Sequence, residues 1–244
     1  MPAKPKIAFW LESDSQHACE IAARAGFEAV IFDMEHGVIT DKDADRLIPL
    51  CRQLGLQTYC RLAEPERAPV QHALDSGANG IILPQIRDAE HARIASGFAK
   101  FPPTGTRGVG YSRIMGYAAT ARNWPATQNR GTVCYVQIET LGALAEADEI
   151  ALLTTVDGLF LGPSDLSMAR GRGLNRWTEA DLDDLKRVTR AATKAGKLFA
   201  TVGAERDESR RAGIAAGAAM LTAGDNFTAM GLGFSELMRA AKSR

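Results

Sequence analysis

A single (β/α)8 barrel is the fold this sequence predicts, and three observations carry that reading. Eight short apolar runs alternate with eight helix-forming segments along the 244 residues, the rhythm of strands and helices wound into one parallel sheet. The runs stop at or near Glu12, His36, Arg61, Gln85, Glu139 and Asp165, and in a barrel such strand ends meet on one rim. An open doubly wound sheet, the alternative, carries a glycine-rich phosphate turn after its first strand. Here that turn reads Glu12-Ser13-Asp14-Ser15.

The first strand is Ile7 to Leu11, followed by a helix over Gln16 to Ala25 that Gly26 ends. Glu28 to Phe32 is the second strand and runs into Asp33-Met34-Glu35-His36-Gly37; Asp41 to Leu54 is the next helix, stopped by Gly55. Gln57 to Cys60 leads to Arg61, Pro65 to Ser76 is helical up to Gly77, and Gly80 to Leu83 breaks at Pro84-Gln85. Asp88 caps a helix reaching Lys100. From Phe101 to Arg130 the alternation lapses. Pro102 to Gly110 is loop sequence, and Ser112 to Arg122 is the one helical stretch expected there. A loop this long inside a compact domain is usually functional.

The rhythm resumes with a strand over Val133 to Val136, a helix over Leu141 to Thr154 and a strand over Gly158 to Leu161. Thr178 to Ala195 and Glu205 to Ala216 are helices flanking a strand over Leu198 to Val202, and Ala219 to Thr222 is the eighth strand. The last helix starts near Asp225 and keeps Phe227, Met230, Phe234, Leu237 and Ala241 on one face. That face must be buried, on its own barrel or on a neighbour.

With 45% hydrophobic and 24% charged residues and no linker, the chain fits one domain over residues 1–244. The formal net charge is zero, so no field attracts nucleic acid or an anionic membrane. No apolar run approaches the roughly 18 residues that span a bilayer, and no apolar signal region follows Met1 to Lys6. Cys19, Cys51, Cys60 and Cys134 stand singly in apolar surroundings. They read as reduced core residues of a cytoplasmic protein.

The chemistry concentrates between Val133 and Ser167. Glu139 and Asp165 end two apolar strands joined by a helix, so they fall at the same end of adjacent parallel strands. Two carboxylates so placed suit one hard divalent cation, although either alone is equally a helix-terminal residue. Arg61 ends an apolar strand, where its guanidinium needs an anion, either a substrate or a buried partner such as Glu35 or Glu64. His36 follows Asp33 by three residues, a spacing that lets the carboxylate hold one ring nitrogen while the other faces a substrate. His17, His72 and His91 lie in expected helices and read as surface residues, and Arg107 serves equally as a loop brace. A Schiff-base mechanism finds no lysine. Lys6 and Lys197 precede strands, Lys4 is in the amino-terminal segment, and Lys42, Lys100, Lys186, Lys194 and Lys242 are on helices or their ends.

Five stretches together resemble the HpcH/HpaI family of class II, metal-dependent pyruvate aldolases. They are Asp33-Met34-Glu35-His36-Gly37, Arg61, Pro102-Pro103-Thr104-Gly105-Thr106-Arg107-Gly108-Val109-Gly110, Val136-Gln137-Ile138-Glu139-Thr140, and Val156 to Ser167 with its Gly162-Pro163-Ser164-Asp165 turn. The resemblance implies reversible aldol cleavage of a 4-hydroxy-2-oxo acid to pyruvate and an aldehyde. It makes Glu139 and Asp165 the ligands of a magnesium, manganese, cobalt or zinc ion. Arg61 would bind the keto oxygen, His36 with Asp33 would serve as base, and Gln137 and Ser164 would line the pyruvate pocket. It also implies a hexamer that exchanges the last helix between subunits.

The chain departs from the family pattern at Gly37-Val38-Ile39-Thr40, at Pro84-Gln85-Ile86 and over Tyr111 to Trp124, which leaves the aldehyde open. An acyl-CoA lyase or a 2-oxo acid decarboxylase is the alternative use of the same chemistry, though no basic groove for CoA phosphates stands out. A binding protein on a decayed barrel would not need both carboxylates, Arg61 and His36.

Overall fold

The computed structural model describes residues 4–118, 121–174, 177–203 and 206–243. Among them eight parallel strands close in chain order: β1 (Lys6–Leu11), β2 (Ala29–Asp33), β3 (Gln57–Arg61), β4 (Gly80–Leu83), β5 (Val133–Ile138), β6 (Gly158–Leu161), β7 (Leu198–Val202) and β8 (Met220–Asp225). β8 pairs back onto β1, which completes the expected (β/α)8 barrel. The sequence runs β2, β4 and β6 are buried throughout, as parallel strands covered on both faces must be.

Alternation along the strands sorts the core into two layers. Ala8, Ile31, Tyr59, Ile82, Tyr135, Phe160, Ala200 and Met220 fill the barrel interior. The residues between them, among them Val30, Phe32, Leu159 and Leu161, face the helices in the larger cluster. Each fully buried aliphatic or aromatic side chain contributes about 1.5–3 kcal/mol, so these layers hold the fold and leave the rim free for chemistry.

The outer ring is α1 (Gln16–Ala25), α2 (Asp41–Gln53), α3 (Arg67–Asp75), α4 (Ala89–Gly97), α5 (Trp124–Gly131), α6 (Leu141–Ala145), α7 (Ala147–Leu152), α8 (Pro163–Ala169), α9 (Glu179–Lys194), α10 (Asp207–Ala215) and α11 (Asn226–Lys242). Three expectations change. The helix expected over Leu141 to Thr154 breaks at Glu146, whose Oε2 accepts the N–H of Ala89 at 2.7 Å and so ties this segment to the start of α4. The helix expected over Ser112 to Arg122 shrinks to one 3-10 turn, Arg113–Met115, ended by Gly116 at φ 65°; residues 119–120 lie outside the described ones. The helical turn of this region is instead α5, with Pro125 in its first turn. Glu205, the expected start of the helix between the seventh and eighth strands, also lies outside the described residues.

The last helix departs most. Its apolar face, expected to be buried, is open to solvent in the single chain: Phe227, Met230, Phe234 and Leu237 are 50%, 52%, 64% and 67% exposed. Asn226 anchors its start, accepting the Glu12 N–H through Oδ1 at 2.7 Å and donating to Ser13 Oγ at 3.1 Å. Beside it, α1 and the end of β8 leave an apolar groove of about 670 Å3. No helix among the described residues is long and apolar enough to cross a membrane.

Candidate active site

The register of β2 with β3 sets Asp33 beside Arg61. Arg61 Nε donates to Asp33 Oδ1 at 3.0 Å and Nη2 to Oδ2 at 2.5 Å, while Nε also lies 3.4 Å from Glu35 Oε2. Trp10, at the end of β1, covers the guanidinium at 4.6 Å and donates its indole N–H to Thr222 Oγ1 at 2.9 Å. Arg61 therefore has buried partners, but they are Asp33 and Glu35, not Glu64. Its Nη1 makes no hydrogen bond among the described residues.

Asp33 does not hold the imidazole as the spacing suggested. Its Oδ1 accepts the backbone N–H of Glu35 and of His36, at 3.2 and 3.1 Å, and so shapes the turn. The His36 ring is 61% exposed and its Nε2 lies 3.9 Å from Glu35 Oε2. Burial pushes the Glu35 carboxyl above its ordinary range, against the lowering influence of Arg61 and His36.

Across the rim, Glu139 closes β5 and is 1% exposed. Its Oε1 accepts the N–H of Gln85 at 2.7 Å and its Oε2 accepts a short hydrogen bond from Gln137 Nε2. Gly162 backs this pair: a Cβ there would stand 2.9 Å from Glu139 Oε2 and 2.8 Å from Gln137 Nε2. Only glycine lets the chain pass so close to the carboxylate. Burial, reinforced by the charges of Glu35 and Asp165, pushes the Glu139 carboxyl up to about 7 despite the Gln85 N–H and Arg61. Asp165 follows in the first turn of α8, with Ser164 exposed beside it. Thr140, not Glu139, caps the helix after β5, accepting from Ala143 N at 3.1 Å. Asp165 does begin a helix, the plain alternative weighed for it.

This donor set fits a hard divalent cation. Gln137 Oε1 and Glu35 Oε2 are buried oxygens with no hydrogen-bond partner among the described residues, and the carboxylates around Glu139 raise one another's cost of ionising. A cation held by Glu139 and Asp165 would relieve the second of these conditions. Three His, Cys, Asp or Glu side chains do not converge as a metal-ligating group among the described residues.

Other candidates fall away from the rim. Arg107 pairs with Asp75 at 2.7 Å and stacks on Phe101 at 4.6 Å, as a brace. Lys100 binds Asp157 and the carbonyls of Asn129 and Thr132, and Lys197 those of Leu153 and Val156, all at the amino-terminal ends of strands. His17, His72 and His91 lie on α1, α3 and α4. Sequence reasoning missed the placement of Trp10 at the site. Its signal was the two-residue strand period, which aims Trp10 inward with Ala8.

A profile of the HpcH/HpaI aldolase/citrate lyase family matches residues 6–230. A 2-dehydro-3,6-dideoxy-6-sulfogluconate aldolase of Pseudomonas putida is 36% identical over 68% of this chain and 65% of its own length. A 2-keto-3-deoxy-L-rhamnonate aldolase of Salmonella gallinarum is 34% identical over 68% of this chain and 62% of its own. The matched stretches thus span just under two thirds of these two relatives. The crystal structure of an HpcH/HpaI aldolase from Desulfitobacterium hafniense DCB-2 superposes with a TM-score of 0.91 at 27% identity, over 99% of this chain and 94% of that one. Barrel, strand-end motifs and sequence matches agree, and the chain belongs to the HpcH/HpaI aldolase/citrate lyase family.

Proposed function

We propose that the chain is a divalent-metal-dependent lyase that reversibly cleaves a 4-hydroxy-2-oxo acid to pyruvate and an aldehyde. One observation carries the reading: the buried Glu139 carboxyl, raised to about 7, sits among carboxylates at the strand ends that also carry Arg61. The two relatives named as aldolases support it.

Glu139 and Asp165 would hold the cation, which when bound supplies positive charge at the keto oxygen of the 2-oxo acid. Arg61 presents its remaining donor, Nη1, to that same oxygen, where negative charge grows as the bond between carbons three and four breaks. Asp33 is a positioning residue: it fixes the plane of the guanidinium from the neighbouring strand. Gln137 and the turn at Ser164 line the side where the acid's carboxylate lies. His36 takes the proton of the 4-hydroxyl during cleavage and returns it to the aldehyde oxygen during synthesis. Its 61% exposure leaves the ring free to reach a bound substrate.

The same proposal extends to assembly and setting. The exposed face of α11 packs on a second copy of the chain, making a homo-oligomer, with a hexamer the expected order. The four cysteines are buried and unbonded, which suits a reducing, cytoplasmic setting. The test is aldol activity with pyruvate and a panel of aldehydes, before and after chelation and with each divalent metal restored. Full activity in metal-free protein, or a pyruvate adduct trapped by borohydride, rules the reading out.

A further inference from the structure

We infer that the barrel carries a second ligand site, for a small oxyanion, at its amino-terminal mouth, built from Lys6, Gln57, Asn79, Tyr59 and Tyr135. A cavity of about 210 Å3 opens there, among the starts of β1, β3, β5, β7 and β8. These five residues are its polar lining, and the rest is Gly131 with four apolar side chains. Glu139 and Arg61 lie at the opposite ends of the strands, so the inference stands apart from the aldolase reading.

Charge and hydrogen-bonding capacity point to an anion. Lys6 is the only charged residue in the lining, and no carboxylate is part of it. Lys6 Nζ has three protons and gives one to Gln57 Oε1 at 2.9 Å, while Tyr59 Oη donates to the same oxygen at 3.1 Å. Gln57 Nε2 is left without an acceptor among the described residues. Asn79 is turned in the same sense: its Oδ1 accepts the Thr58 N–H at 2.9 Å and the Thr58 hydroxyl at 3.2 Å, which leaves Nδ2 as a spare donor. The Tyr135 hydroxyl has no hydrogen-bond partner among the described residues. Two carboxylates at this end of the strands are held elsewhere. Asp157 pairs with Lys100 at 2.6 Å and accepts the Cys134 N–H at 2.8 Å, and Glu28 accepts the Ile7 N–H at 3.1 Å. A cationic lining with spare donors and no carboxylate matches an oxyanion.

The tyrosines make the site preformed. Both belong to the inner layer, 5% and 2% exposed, with ring centroids 6.1 Å apart. Branched aliphatic side chains dominate such layers, whereas a buried phenol brings a hydroxyl that needs a partner. Glycines seat both rings: a Cβ at Gly80 would stand 3.0 Å from the Tyr59 ring, and one at Gly158 would overlap the Tyr135 ring. Burial pushes both phenols above their ordinary range, so they keep their protons. A cavity of about 150 Å3 takes benzene, with six heavy atoms. One of about 210 Å3 therefore takes an acetate or phosphate ion and a water beside it.

The experiment labels tyrosine Cζ with carbon-13 and follows the four tyrosine signals by NMR in the full-length protein. Acetate and inorganic phosphate are titrated separately, with chloride as the ionic-strength control. Tyr59→Phe and Tyr135→Phe assign the two buried signals, and the exposed Tyr111 and Tyr117 report non-specific effects. At least one of the two anions should shift the Tyr135 signal saturably at millimolar concentration, and the tighter of the two identifies the ligand as a carboxylate or a phosphate. Lys6→Gln should weaken that binding at least tenfold. If Lys6→Gln folds poorly, Tyr135→Phe, read through the Tyr59 signal, decides in its place with the same expected loss. No saturation by either anion up to about 50 mM, or a midpoint that the deciding variant leaves unchanged, overturns the inference.

Discussion

Asp33 and Arg61, register partners on β2 and β3, form a buried ion pair whose geometry is bidentate, at 3.0 and 2.5 Å. The carboxylate is 1% exposed and the guanidinium side chain 12%. Removing one member leaves the other charged and poorly solvated. Asp33→Ala should therefore cost about 3–5 kcal/mol of stability, read by urea unfolding of metal-free protein. A double-mutant cycle with Arg61→Ala should recover about 1–3 kcal/mol of coupling, whereas Asp33→Ala and His36→Ala should add within about 0.5 kcal/mol. Strong coupling of Asp33 to His36 would restore the pairing that the sequence spacing suggested.

That spacing shows where sequence stops. Glu139 and Asp165 were legible at adjacent strand ends because apolar runs stop abruptly and a short helical segment joins them, which fixes direction and neighbourhood together. The partner of Asp33 was not, because three residues in a loop look like a contact. The partner chosen lies 28 positions away, across the register of two strands. The long segment after α4 misled for a local reason: Gly116 in the left-handed region ends the turn at Met115, while Pro125 opens the real helix. The exposed face of α11 was read correctly as apolar, yet the pattern alone could not name what covers it.

Proton and cation should compete for Glu139. Burial first, then Glu35 and Asp165, hold its carboxyl at about 7 against an ordinary 4.5. Between those values the folded, metal-free protein keeps a proton that the unfolded chain has released, so this group's contribution to stability declines as pH rises through that window. A cation must displace the proton. Its affinity should rise about tenfold per pH unit from 5 to 7 and level off above. Calorimetry in buffers of different ionisation enthalpy should register close to one proton released per ion at pH 6. Affinity independent of pH would place the cation away from Glu139.

Assembly is tested by charge on the exposed helix. Phe234 and Leu237 are 64% and 67% exposed in the single chain, and an apolar stripe of that kind is rarely left in water. The double variant Phe234→Glu, Leu237→Glu should lower the mass seen by light scattering to a smaller species while far-UV circular dichroism stays unchanged. The barrel needs neither side chain. A full-length chain that is already a stable monomer at micromolar concentration refutes the oligomer.

His36 and Arg61 should separate when the proton is taken out of the reaction. Oxaloacetate decarboxylation yields the same pyruvate enolate as aldol cleavage, but the departing group is carbon dioxide and no hydroxyl proton has to be removed. His36→Ala deletes the proposed proton acceptor and leaves the charge facing the enolate oxygen intact. Aldol cleavage should fall by about 10²–10⁴-fold, the contribution of a positioned base, while decarboxylation is largely spared. Arg61→Ala removes the donor proposed to face that oxygen and also strips the buried Asp33 and Glu35 carboxylates of their shared partner. Both reactions should then fall together, by about 10²–10³-fold. Steady-state kinetics on metal-loaded variants decides the matter. Equal loss of both activities in His36→Ala, with cation still bound, means His36 is not the base, and decarboxylation spared in Arg61→Ala means the guanidinium does not face the enolate oxygen.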